Sequence, residues 1–181
     1  ELYSGFCKLQ IINIFLGADD NPQLIFESLN STGMDLSEGD KIRNYILMGL
    51  TPISLQEQYY EKYWYHIERN TGNNVSLFFR DYLSIKMQAT PSMNKIYLNF
   101  KDFMELKTFS NREDLLKDLL GYARRYESLL KANSNISRLN SCIERMNLFE
   151  ATVSRPFLME ALRHFDQRVE QNSFKNAEEL I

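Results

Sequence analysis

Turn-forming residues are scarce in this sequence, with 7 glycines and 4 prolines among 181 residues, about half the share of an average soluble chain. A many-stranded sandwich or barrel needs more of them, so long helices are expected. Cysteine and histidine are scarcer still, at 2 each. Cys7 and Cys142 stand far apart without metal-type spacing, and His66 and His164 add too few ligands, so no zinc site is expected and a reducing cytoplasm is the simplest home. No apolar run reaches the ~20 residues that span a bilayer, and the start, ELYSGFCKLQ, lacks the basic and apolar blocks of a signal peptide. No membrane partner is expected. Strong charge of one sign is missing too: 21 basic residues face 24 acidic ones, for a net charge of -3. Such a balance gives no whole-domain attraction to nucleic acid, so any such contact must be local. What the chain does have is 44% hydrophobic and 13% aromatic residues, enough to fold around a real core. It begins without an initiator Met and its end, NAEELI, reads as a helix barely begun, so a piece of a longer protein is expected.

The segment Lys8 to Gly17, KLQIINIFLG, is rich in Ile and Phe with partial alternation and reads as a strand closed by the acidic turn Ala18-Asp19-Asp20. It is the one good strand candidate, and a lone strand needs a partner from elsewhere. Helical signals then take over. Asn21 and Pro22 open a first helix, carrying Ile25, Phe26 and Leu29, that Gly33 stops. Three pairs have the spacing of a capping box: Ser37 with Asp40, Ser54 with Glu57, and Ser110 with Glu113. The helix after Ser54 is expected to bury Tyr60, Trp64 and Ile67. Further stripes are Phe78, Tyr82 and Ile85; Ile96, Phe100 and Phe103; and, clearest of all, Leu115, Leu119, Tyr122, Tyr126 and Leu129. Ile136, Leu139, Ile143 and Met146 mark another helix, and Pro156 starts a last one with Phe157, Leu158, Leu162 and Phe165. The expected architecture is mainly α: an array of about eight helices with one N-terminal strand.

The least ordinary stretch is Ile25 to Leu47, where a helix ends in Asn30-Ser31-Thr32-Gly33 and a second, capped helix follows within a few residues. Such a loop exposes N–H groups and hydroxyls beside a helix N-terminus and suits an anion or phosphate. Asp40, Arg43 and Asn44, at i, i+3 and i+4, put a carboxylate, a guanidinium and an amide on one face of that helix. The same residues also read as ordinary helix-stop chemistry, caps and a surface ion pair. The Gly-x4-Gly-Lys pattern of a Walker A loop is absent.

In FESLNSTGMDLSEGDKIRN, the pattern Phe26, Asn30, Gly33, Leu36, Asp40, Arg43 and Asn44 resembles the second signature region of the N-terminal domain of GmrSD-type, modification-dependent restriction endonucleases. The late stretch RLNSCIERMNLFEATVSRPFLMEAL extends the resemblance. It implies a ParB-like α/β nucleotide-handling module with an Asp-Gly-Gln-Gln-Arg signature, then helices, and often an HNH-type nuclease domain directed at modified, typically phage, DNA. This sequence holds neither that signature nor a His-rich nuclease motif. On the resemblance, residues 1–50 would end the ParB-like module and 51–181 would form a helical domain. The chain would be inactive alone, with no cofactor of its own. A nucleoside triphosphate with Mg would be bound only with the N-terminal half, and a nuclease domain, modified DNA and a homo-oligomer are the other partners implied. Asn30, Thr32, Gly33, Asp40, Arg43 and Asn44 would form part of the nucleotide-pocket wall. The competing reading is a helical interaction or scaffold domain without nucleotide or DNA chemistry.

Other candidates read mainly as structure. Arg124, Arg125, Arg138 and Arg145 are the best placed for DNA phosphate contact, but they alternate with Glu127 and Glu144 and also read as a solvated face. His66 is expected to be partly buried, His164 to sit on a helix edge, Cys142 to be a small core residue, and the run Tyr59, Tyr60, Tyr63, Trp64, Tyr65 to serve core or interface packing. Residues 1–50 hold seven Asp or Glu against three Lys or Arg, so a phosphate there needs positive charge from Arg43 and from outside.

Overall fold

The computed structural model describes residues 36–48, 50–106 and 108–170, with isolated positions 3, 5, 7–10, 15, 17 and 25 before them. The chain divides into two units, Glu1–Asp35 and Leu36–Ile181. The strand expected over Lys8 to Gly17 and the helix opened by Asn21 lie largely outside the described residues; of the latter, Ile25 is helical. Every regular element among the described residues is helical, so the protein is mainly α. Among these residues no helix is long and apolar enough to cross a membrane.

The second unit opens with α1, Glu38–Leu47. Ser37 caps it as the spacing predicts: its Oγ accepts from the Asp40 N–H at 3.1 Å and donates to the Asp40 carboxylate at 2.6 Å. Its apolar stripe, Ile42, Ile46 and Leu47, is buried. Neighbouring helices share its ends. The Glu38 carboxylate accepts the Tyr97 N–H at 2.7 Å, and Arg112 donates to the carbonyls of Ile46 and Met48 at 2.9 and 3.0 Å. All three bonds satisfy backbone groups that a helix cannot pair internally.

After the cis Thr51–Pro52 bond the chain forms α2, Ile53–Tyr59, a π turn over Tyr60–Trp64, and α3, Tyr65–Asn70. Here Ser54 is no cap: the helix starts at Ile53 behind Pro52, which has no side-chain bond to give. The π turn also shifts the expected stripe. Its extra residue rotates Tyr63, Trp64 and Ile67 into the core and leaves Tyr60 37% exposed. Next come α4, Val75–Met87, and α5, Ile96–Glu105, which a short 3-10 turn at Met93–Lys95 precedes. Gln88 ends α4 in the left-handed region at φ 53, before the Thr90-Pro91 step is reached.

The longest helix, α6, spans Arg112–Lys131 and buries all five residues of its expected stripe. Its cap is Asn111, whose side chain accepts from the Asp114 N–H at 2.9 Å, one position beyond the Ser110–Glu113 pair. Glu113 is thereby released to meet Tyr63, Lys62 and Lys117. Two helices complete the unit: α7, Ser137–Leu148, and α8, Arg155–Glu170. On α8, Leu162 is buried and Leu158 and Phe165 pack against the core as expected, while Phe157 is 73% exposed and Met159 is fully buried in its place.

Aromatic rings dominate the core. Trp64 stacks on Phe79, Phe79 meets Phe100 edge to face at 5.4 Å, Phe78 meets Tyr126 at 5.6 Å, and Tyr82 meets Tyr122 at 5.3 Å. Edge-to-face pairs add to what burial alone contributes. The buried tyrosines donate outward to carboxylates, Tyr82 to Asp118 at 2.8 Å and Tyr122 to Glu160 at 2.6 Å. Asp81 on α4 is half-buried near Arg80 and Arg155, and burial pushes its carboxyl up to about 6 against the pull of both guanidiniums. The folded protein therefore holds that proton more tightly than the unfolded chain, so the cost of the ionised group is full above pH 6 and vanishes as pH falls toward 4. Asp81→Asn is expected to stabilise the protein by about 1–2 kcal/mol at pH 8 and by nearly nothing near pH 4. Urea denaturation at the two pH values measures the difference.

Candidate functional site

A cleft of about 380 Å³ opens where the N-terminal ends of α1 and α4 meet, lined by Ser37, Gly39, Asp40, Trp64, Glu68, Asn73, Asn74, Val75, Ser76, Leu77 and Met93. Local sequence builds it. Gly72 and Asn73 turn the chain between α3 and α4 with φ of 60 and 63, a backbone region that glycine and asparagine enter most readily. Gly39 lets α1 approach α4 closely, and its N–H donates to Ser76 Oγ at 3.0 Å.

Glu68 is the hub of the polar wall. Its Oε1 accepts from Trp64 Nε1 at 2.7 Å and lies 3.3 Å from Arg43 Nη1, while Oε2 accepts from the Tyr60 hydroxyl at 3.4 Å. The negative charge of Glu68 raises the Tyr60 phenol above its usual pKa, with burial and that hydrogen bond adding to it. Arg43 also pairs with Asp40 at 3.2 Å. One guanidinium thus bridges two carboxylates and the trio carries one net negative charge. Asp40 and Glu68 offer acceptors, Ser37 and Ser76 hydroxyls, Asn73 and Asn74 amides, and Leu77 and Met93 an apolar edge. This chemistry suits hydroxyl- and amine-bearing groups. It does not suit a bare phosphate, since no cation among the described residues lines the cleft and Arg43, outside the lining, is held by Asp40 and Glu68.

Asp40 and Arg43 therefore meet as the sequence placed them, with Glu68 as a partner that sequence reading missed. Asn44 is half-buried on α1 and does not line the cleft. Asn30, Thr32 and Gly33 lie outside the described residues. The four arginines differ in exposure and pairing. Arg125 is held by Asp166 at 2.8 Å over the Tyr122 ring, whereas Arg124, Arg138 and Arg145 are exposed. Two smaller expectations need correction. His66 is exposed and packs only edge-on against Tyr65, because the π turn faces Trp64 and Ile67 inward in its place. Cys142 is exposed, since α7 turns Ile143 to the core. The tyrosine run divides: Tyr63 and Trp64 are core, while Tyr65 is 50% exposed. His164, 62% exposed beside Glu160, sits on a helix edge as expected.

Compared with models of protein families, with curated proteins and with solved structures, the chain matches none.

Proposed function

We propose that this chain is the helical part of a GmrSD-like, nucleotide-dependent restriction or phage-defence protein, and that the cleft between α1 and α4 is one wall of its nucleotide pocket. One observation carries the reading: Asp40, from the stretch with the family resemblance, lines a cleft that can seat a small polar ligand, and Arg43 of the same stretch pairs with it and with Glu68. In this arrangement Asp40 and Glu68 accept from ligand hydroxyl or amine groups and Arg43 positions both carboxylates. The phosphates, with their Mg, would be bound by groups outside the described residues, and the chain performs no chemistry by itself. The test is nucleotide turnover and phage restriction by the whole protein that contains this chain. Arg43→Ala is expected to lower both about ten- to hundredfold by misplacing the two carboxylates, with Arg43→Lys intermediate and thermal melting little changed. Turnover equal to wild type in Arg43→Ala would overturn the proposal.

A helical interaction module is the second reading, favoured by the pairing of Arg43 with two carboxylates of its own chain. A whole protein that neither binds nor hydrolyses nucleotide supports it.

A further inference from the structure

Two exposed helical stripes on the second unit have complementary chemistry. Along α2, the π turn and the first residue of α3, Ile53, Glu57, Glu61 and Tyr65 follow at four-residue steps, all exposed, with Ile53 at 74% and Tyr65 at 50%. In a regular helix that spacing would drift round the axis, but the wider π turn brings the last two back into line. Along α7, Arg138, Cys142, Arg145 and Phe149 are exposed at steps of four, three and four, within a narrow arc of the helix. Phe149 and Leu148 are each 79% exposed, and beyond α7 Val153 and Phe157 are also exposed, at 94% and 73%.

The charges on both stripes are unspent. Glu57, Glu61, Arg138 and Arg145 have no side-chain partner among the described residues, while Arg43, Arg112, Arg125 and Arg163 are all engaged. The stripes also match in length, about 18 Å from Ile53 to Tyr65 and about 16 Å from Arg138 to Phe149 at the helical rise per residue. Only one direction sets apolar ends together and opposite charges face to face. Antiparallel, Phe149 falls on Ile53, Arg145 on Glu57, and Arg138 between Glu61 and the Tyr65 ring, where a guanidinium gains both a carboxylate and an aromatic face. Parallel, Arg138 would fall on Ile53 and Phe149 beside Tyr65, leaving Glu57 and Glu61 opposite only one arginine.

We propose that α7 of one molecule packs antiparallel on α2 and the π turn of a second copy of this chain. The two surfaces differ, so the contact is head-to-tail and builds rings or open chains rather than two-fold dimers. The aliphatic groups Leu148 and Val153 favour this occupant over DNA, whose phosphates would use the arginines alone. The inference does not depend on the nucleotide reading.

The test is the mass of the full chain in sedimentation, read against concentration and salt. Wild type is expected to associate, and raising salt from about 50 to about 500 mM weakens the association by screening the exposed pairs. Arg138→Glu with Arg145→Glu, and separately Glu57→Arg with Glu61→Arg, are each expected to weaken it about tenfold or more by placing like charges together. The decisive measurement mixes the two variants: each alone is monomeric, and the equimolar mixture associates because every junction again joins opposite charges. A wild type that stays monomeric overturns the proposal, as does a mixture that fails to associate. Capture of a DNA duplex by wild type, lost in Arg138→Glu with Arg145→Glu and without self-association, would assign α7 to nucleic acid and overturn it as well.

Discussion

Replacing Trp64 with alanine is expected to cost about 3–5 kcal/mol, the range for removing a large aromatic from a packed core. The residue is 1% exposed and stacks on Phe79 with ring centroids 6.0 Å apart. Phe79 in turn contacts Phe78, Tyr82 and Phe100, so the hole opens onto the ring cluster that joins α4 to α5. A second loss falls on Glu68, whose Oε1 gives up its shortest bond, 2.7 Å to the indole N–H, and keeps only Arg43 at 3.3 Å. Trp64→Phe separates the two effects: it restores most of the packing and omits the donor, and about 1–2 kcal/mol of loss is expected. The whole stability of a domain is about 5–15 kcal/mol, so the alanine variant sits near its limit. Because Trp64 is the only tryptophan, its fluorescence cannot follow the variant. Urea denaturation monitored by far-ultraviolet circular dichroism measures all three proteins alike. A loss below 1 kcal/mol in the alanine variant would show that the core closes over the gap.

Trp64 also marks where the sequence was legible and where it was not. Apolar period identified α4, α5 and α6, because a buried stripe must recur with the helical repeat and Leu115 through Leu129 leave no alternative face. Period failed where the backbone departs from that repeat. Nothing in Tyr59 to Tyr65 announces a π turn, and one extra residue there moved Tyr60 and His66 outward. Caps were half legible, since Ser, Asn and Asp compete for the same role. Ser37 won its helix, Asn111 displaced Ser110, and Ser54 lost to a start behind Pro52. In the candidate site, the spacing of Asp40 and Arg43 was readable because it is local to α1. Glu68 and Ser76 were not, since they arrive from other helices across long stretches of sequence. The spacing of Trp64 and Glu68, at i and i+4, was the one local signal for the hub.

Gly39 is expected to be the residue of α1 least tolerant of substitution, although its helical position alone would favour alanine. A Cβ there would lie 2.9 Å from Val75 Cβ, 3.0 Å from Val75 Cγ1 and 3.2 Å from the Ser76 backbone nitrogen. None of these atoms is the free end of a flexible chain, so relief requires α1 to move away from α4. That movement stretches the 3.0 Å bond from Gly39 N–H to Ser76 Oγ and displaces Asp40, the next residue, from the cleft. Overpacking of this kind costs about 1–3 kcal/mol, against about 0.5–1 kcal/mol gained when alanine replaces glycine in a helix. The clash wins, with about 1–2 kcal/mol lost in Gly39→Ala and about 3 kcal/mol or more in Gly39→Val. Gly121 supplies the control, since a Cβ there meets only Arg125 Nη1 at 3.3 Å, the end of a long side chain that can shift. Gly121→Ala is therefore expected to gain up to about 1 kcal/mol from helix propensity. Denaturation midpoints should rank Gly121→Ala above wild type, then Gly39→Ala, then Gly39→Val. A gain in Gly39→Ala would mean that α1 and α4 can part freely, and the cleft between them would then lack the fixed wall that a binding site requires.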